Sequence, residues 1–171
     1  EFLLAESFIP TELLPAYTTI TEQLLERIQP IFDGLPRQNW RRIHGDCHLG
    51  NLLWRDNTAH FVDFDDCVNG PPIQDLWMLL WGERHEQEHQ LSEIMDAYAP
   101  FADFDFSTLV LIEPLRTLRI MHHAAWIGRR WDDPAFPRAF PWYNTDKYWS
   151  DHILDLREQL AKLDEPPLTL N

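Results

Sequence analysis

The chain has 171 residues, enough for one well-packed domain or one lobe of something larger, and its 44% apolar and 25% charged residues are ordinary for a globular protein. Twenty-eight acidic against 14 basic side chains give a formal net charge of −14, which excludes a basic footprint for duplex nucleic acid and argues equally against docking on anionic lipid. Aromatic residues reach 13%, too many for a disordered chain, and no apolar run approaches the roughly 18 residues of a membrane span.

Residues 11–31 read as a helix. Leu13, Tyr17, Ile20, Leu24, Ile28 and Ile31 recur at three- and four-residue steps and make one apolar stripe. Thr11 is the expected N-cap, and Asp33-Gly34 with Pro36 the expected stop. Leu52-Leu53-Trp54 and His60-Phe61-Val62 are short apolar runs around an Asp56-Asn57 turn, the pattern of a small β-hairpin. Helical spacing resumes over 73–81 and over 86–98. A long helical pattern over 107–130 contains Pro114, where a kink or break is expected. Residues 144–163 close the chain as a helix capped by Asn144 or Thr145, with Tyr148, Ile153, Leu156, Leu160 and Leu163 inward. The fold class this predicts is mainly α (α+β): a helical lobe with one inserted hairpin.

Two cysteines, Cys47 and Cys67, make no disulfide framework and read as reduced thiols, hence a cytoplasmic protein. Cys47 sits beside Asp46, but a plain buried thiol is preferred to a redox sensor. Arg41-Arg42 and Arg129-Arg130 are read as solvated surface rather than phosphate-recognising pairs.

The polar residues that carry chemistry crowd around the hairpin. The run His44-Gly45-Asp46-Cys47-His48-Leu49-Gly50-Asn51 contains the spacing H-x-D-x-x-x-x-N, and 12 residues after Asn51 comes Asp63, followed by Phe64-Asp65-Asp66. The order loop, hairpin, acid is that of a kinase catalytic loop followed by a metal-binding Asp. Transfer of a phosphoryl group to an alcohol needs a carboxylate to orient the hydroxyl and accept its proton, and Asp46 fits. It also needs Mg²⁺ on the nucleotide phosphates of ATP, held by one or two hard oxygen ligands, and Asn51 and Asp63 supply those. A hairpin between them returns Asp63 beside the loop. His44 is expected to pin the loop by hydrogen bonding. His48 divides between loop packing and contact with phosphate or metal. Asp65 and Asp66 divide between supporting the site and simple solvation. Asp75, opening a helix in an apolar run, is expected to accept backbone N–H bonds from the loop.

At these residues the chain resembles the kinase-like superfamily of aminoglycoside phosphotransferases, choline kinases and type II homoserine kinases, whose loop reads H-G-D-x-H-x-x-N. Residues 44–51, 62–66, 69–71 and 74–80 are more closely similar to the bacterial stress response kinase A group. So are Glu113-Pro114-Leu115-Arg116, Arg129-Arg130-Trp131, Asp133-Pro134-Ala135-Phe136-Pro137 and the Glu165-Pro166-Pro167-Leu168 stretch. The resemblance runs over essentially the whole chain, but only onto the carboxyl-terminal lobe of the family. No Gly-rich loop precedes Asp46, and the only lysines are Lys147 and Lys162. It therefore implies a C-lobe over 1–171 whose N-terminal nucleotide-binding lobe is a missing partner, inactive alone. In the intact protein it implies ATP- and Mg²⁺-dependent phosphorylation of a protein Ser/Thr hydroxyl. By position Asp46 matches the proton acceptor, and Asn51 and Asp63 the metal ligands; position 65 is Asp where protein kinases carry Gly. The alternatives are a small-molecule kinase acting on a choline-, homoserine- or aminoglycoside-like alcohol, a metallohydrolase using His44, Asp46 and His48, and a non-catalytic docking module.

Overall fold

The computed structural model describes residues 2–35 and 37–170. In chain order its elements are α1 (Phe2–Ala5), α2 (Leu14–Asp33), β1 (Arg41–Ile43), β2 (Leu52–Arg55), β3 (Thr58–Phe61), β4 (Val68–Gly70), α3 (Ile73–Leu76), α4 (Arg84–Tyr98), α5 (Ile112–Gly128), α6 (Ala135–Ala139) and α7 (Asp146–Lys162), with 3₁₀ turns at Arg37–Asn39, Leu49–Asn51, Trp77–Leu79 and Phe106–Leu111. The expected mainly α, kinase-like lobe with its inserted hairpin is present. The chain divides into two compact units, one of residues 1–34 and 113–165 and the other of 35–112 and 166–171. No helix among the described residues is long and apolar enough to cross a membrane.

In the first unit the stripe of α2 buries Tyr17, Ile20, Leu24 and Ile28 in one core with Ala124 and Ile127 of α5 and Trp149, Ile153 and Leu156 of α7. The helix begins at Leu14 rather than at the expected Thr11 cap, and Leu13 at its N-cap makes no side-chain hydrogen bond. Pro15 explains the shift: its ring fixes φ and lacks an N–H, which suits only a first turn. The carbonyl of Pro10 takes the N–H groups of Leu13 and Leu14 (2.9 and 3.1 Å) instead. At the other end the Gly34 N–H bonds to Pro30 O at 3.1 Å, and the expected stop at Pro36 lies outside the described residues. Thr145 caps α7 by accepting from the Tyr148 N–H at 3.2 Å.

Two buried side chains of this unit bond across its elements. Tyr143 Oη donates to Ala124 O at 2.8 Å, and Gly128 leaves room for it, since a Cβ there would lie 2.6 Å from that hydroxyl. The Gln159 amide donates to the Glu113 carboxylate (2.5 Å), and the Arg116 guanidinium lies 3.3 Å from the same oxygen. Helix α5 starts one turn later than the 107–130 pattern suggests. Phe106–Leu111 is a 3₁₀ turn, capped by Asp105 Oδ1 accepting from Ser107 N (3.0 Å). Pro114 then falls in the first turn of α5, where its missing N–H has no intrahelical partner to lose.

The second unit carries the β-structure. Hairpin β2–β3 pairs Leu52 with Phe61 and Arg55 with Thr58, and Asp56 and Asn57 both take positive φ (50° and 57°), the signature of a two-residue type I′ turn. The sequence suggested one hairpin; a second antiparallel ladder exists, β1 with β4, Arg41 opposite Gly70 and Ile43 opposite Val68. Three-residue strands that open Arg-Arg and close Asn-Gly have no apolar alternation, so nothing local marks them. The ladder matters because β1 leads into the polar loop and β4 leads into α3, holding the two ends of the site together. The helical pattern over 73–81 resolves into one turn of α3 and the 3₁₀ turn Trp77–Leu79, and Glu86 anchors the start of α4 by accepting from the Glu83 N–H (2.7 Å).

Candidate active site

The 44–51 loop follows β1 with Ile43 and His44 buried. Its entry is clamped from α3. Asp75 accepts from the His44 N–H at 2.7 Å and the Gly45 N–H at 2.9 Å, one carboxylate oxygen each, while the Gln74 amide donates to Gly45 O at 2.8 Å. Trp77 Nε1 in turn donates to Gln74 Oε1 at 3.2 Å. A segment with no regular secondary structure thus has its main-chain groups satisfied by side chains. Gly45 (φ +89°) is obligatory, because a Cβ there would lie 2.3 Å from Asp66 O.

His44 uses both ring nitrogens on the backbone. Nδ1 accepts from the Asp46 N–H at 3.3 Å, so the proton sits on Nε2, which lies 2.8 Å from Val62 O. The ring packs against Phe64 at 4.9 Å between centroids. With both nitrogens occupied His44 has none to give a metal, and the alternating His44, Asp46, His48 set is not a metallohydrolase site. Among the described residues no group of three or more His, Cys, Asp and Glu could hold a metal ion.

Asp46 lies at the bend. Its carboxylate is one-fifth exposed and stands 3.5 Å from His48 Nε2 and 3.5 Å from Asn51 Nδ2. The Asn51 amide also donates to Asp46 O at 3.0 Å. His48 accepts from the Gly50 N–H at 2.9 Å and so caps the Leu49–Asn51 turn; a Cβ at Gly50 would lie 2.6 Å from its ring and displace it. The structure therefore gives His48 a loop-packing part directed at Asp46. Cys47 is buried, and burial, with Asp75 and Asp46 nearby, pushes its thiol up to about 11; Cys67 is also a free thiol.

The hairpin brings the second acid back. Register places Leu52 opposite Phe61, and the Val62 N–H donates to Asn51 O at 3.0 Å, so Asp63 directly follows the residue paired with Asn51. Asp63 itself adopts φ +63°, a left-handed conformation that costs a non-glycine residue about 1–2 kcal/mol and turns the chain sharply after β3. Its carboxylate is exposed and forms no hydrogen bond or ion pair among the described residues. Asp65 and Asp66 occupy the exposed turn that follows, and their carboxylates are not bonded to the loop.

These groups suit Mg²⁺. Asn51 spends its NH₂ on Asp46, leaving Oδ1 as a neutral hard donor, and Asp63 offers an unpaired carboxylate. Two hard oxygens and no thiolate or imidazole match an ion that keeps waters and phosphates as its other ligands. Sequence reasoning missed three parts of the site: Gln74, Phe64 and the Val62 carbonyl. Gln74 stands beside Asp75, which is the one signal that could have found it. The other two depend on where β3 ends and carry none. Behind the loop an apolar cavity of about 380 Å³ is lined by Ile43, His44, Cys47, Phe61, Phe64 and Leu76, among others.

Comparison with known proteins gives the family. The family model described as "Phosphotransferase enzyme family" matches residues 9–109. The chain is 45% identical over 170 residues to stress response kinase A of Escherichia coli (strain K12) and to serine/threonine protein kinase RdoA of Salmonella typhimurium, and 44% identical to stress response kinase A of Shigella flexneri. Each alignment covers 96% of this chain and 49% of the relative, so the chain spans about half the length of the curated relatives it matches. With a family model over more than half its residues and the family's loop held in place by α3, the chain belongs to the phosphotransferase enzyme family.

Proposed function

We propose that this chain supplies the acceptor-side half of an ATP-dependent kinase that phosphorylates a serine or threonine hydroxyl of a protein. The observation that carries the reading is the loop itself: Asp46 and Asn51 share hydrogen bonds, Asn51 pairs with Val62, and Asp75 holds the whole segment by two main-chain N–H groups. The acceptor class is supported by the similarity to relatives named as serine/threonine and stress response kinases.

In this reading the Asp46 carboxylate orients the acceptor hydroxyl and takes its proton as the oxygen attacks the γ-phosphorus. The His48 Nε2, 3.5 Å away, helps to orient the carboxylate. Asn51 and Asp63 are the residues that hold Mg²⁺, which when bound offsets charge on the phosphate oxygens. His44 and Asp75 do no chemistry; they fix the loop so that Asp46 needs no rearrangement during reaction. A nucleotide-cradling lobe belongs to the same intact protein, and the chain by itself is expected to transfer no phosphate.

The test is Asp46→Ala in the full-length protein. Phosphate transfer should fall by at least about 10³-fold, the scale of a lost general base together with its positioning, while Mg²⁺–ATP binding measured by calorimetry stays within about twofold. Retained turnover would overturn the role of Asp46. Asp63→Asn should instead weaken Mg²⁺-dependent nucleotide binding. Assays of proteins against small alcohols as acceptors separate the protein-kinase reading from a small-molecule kinase.

A further inference from the structure

Away from the loop, the second unit holds a segment of extended chain by its main chain. Arg84, the first residue of α4, donates from Nη1 to Pro166 O (2.9 Å) and from Nη2 to Pro167 O (2.6 Å). One turn on, Glu88 lies 3.1 Å from Arg84, and its Oε1 accepts both the N–H and the hydroxyl of Thr169 at 3.1 Å each. Leu168, between the two anchors, is buried. The bonds to Thr169 and the neighbouring Arg84 hold the Glu88 carboxyl below the usual carboxylate range. Residues 166–169 are therefore latched onto one face of α4, with Thr169 exposed at the edge and bonded through its only side-chain donor.

We propose that this segment is a charge-sensitive latch, opened when the Thr169 hydroxyl carries a phosphate. Phosphorylation moves the γ-phosphoryl of a nucleoside triphosphate onto Oγ1. The Oγ1–P bond forms, the P–O bond to the β-phosphate breaks, the hydroxyl proton is released and a nucleoside diphosphate leaves. Three consequences follow from the geometry. Oγ1 no longer has a hydrogen to give Glu88. A group of charge about −1.5 to −2 stands against a carboxylate, the arrangement in which a phosphate disrupts rather than orders. Arg84 is the cation at hand, but its guanidinium is shared among Pro166, Pro167 and Glu88; drawn to the phosphate, it leaves the prolyl carbonyls. Repulsion and competition both detach the segment.

The decisive measurement is hydrogen exchange by mass spectrometry on the full-length protein carrying genetically encoded phosphothreonine at position 169. The references are the unmodified protein and Thr169→Val. The phosphorylated protein should lose protection at the Thr169 amide by about tenfold or more, the factor that 1.4 kcal/mol represents, with smaller losses across residues 84–91. Thr169→Val, which keeps the N–H bond to Glu88, should lose less. In a Glu88→Gln background the effect of phosphate should shrink, because the opposing charge is gone. Unchanged or increased protection on phosphorylation overturns the proposal, and so does an effect of full size in the Glu88→Gln protein.

Discussion

Asp75 is the residue on which the candidate site most depends, because two main-chain N–H groups converge on its two oxygens. Asp75→Asn keeps the shape but turns an NH₂ toward one of those donors. The expected cost is about 1–3 kcal/mol, the penalty of leaving a partly buried donor without an acceptor. It should appear as a lower urea midpoint together with slower phosphate transfer in the full-length protein. A variant that loses activity with an unchanged midpoint would show that Asp75 does more than hold the loop. Cys47 gives a second residue-scale expectation. Its buried thiol, with a pKa pushed up to about 11, is protonated at neutral pH. A maleimide probe at pH 7.5 should label Cys67 first and Cys47 at least about tenfold more slowly; equal rates would contradict the buried environment. The type of Asp46, Asn51, Asp63 and Asp75 and their order could be read from the chain, since each chemistry admits few residue types. The bond expected from the loop to Asp75 is present, but the Val62 carbonyl partner of His44 could not be read, because it lies 18 residues away and is set by where β3 ends.

At the scale of elements, local rules held wherever the signal was local. The Asp56-Asn57 turn, the stripe of α2 and the Thr145 cap all appear where turn chemistry and periodicity place them. Thr145→Ala should therefore cost about 1 kcal/mol, the usual value of an N-cap side chain, and lower the thermal midpoint of the full-length protein. An unchanged midpoint would mean that α7 is held by packing alone. Local rules were outweighed where proline redirected them. Pro15 moved the start of α2, and Pro114 took a place in a first turn instead of breaking a helix. The β1–β4 ladder was invisible because pairing between residues 25 to 29 apart leaves no trace in either three-residue strand.

At the scale of the whole molecule, the core of the first unit carries an acid sensitivity. His152 is buried between the rings of Tyr17 (5.9 Å) and Tyr148 (5.7 Å) and against Trp149. Burial, with a smaller contribution from His123, lowers its pKa from 6.5 to about 4. The unfolded chain then binds the proton more readily than the folded one. The stabilisation is complete above pH 6.5 and is lost as pH falls from 6.5 toward 4, roughly 3 kcal/mol in all. Urea midpoints should drop steeply over that window, and His152→Phe should flatten the drop; an equally steep fall in the variant would sink the assignment. The sequence by itself determined the helical class, the hairpin turn and the kinase-like spacing of Asp46, Asn51 and Asp63, because these depend on residue type and short-range periodicity. Only the tertiary structure decided that Gln74 joins Asp75 in the clamp, the second strand pair, the burial of His152 and the latch on α4. Those depend on contacts between residues far apart in the chain, and such contacts are fixed by packing and strand register rather than by the character of either partner.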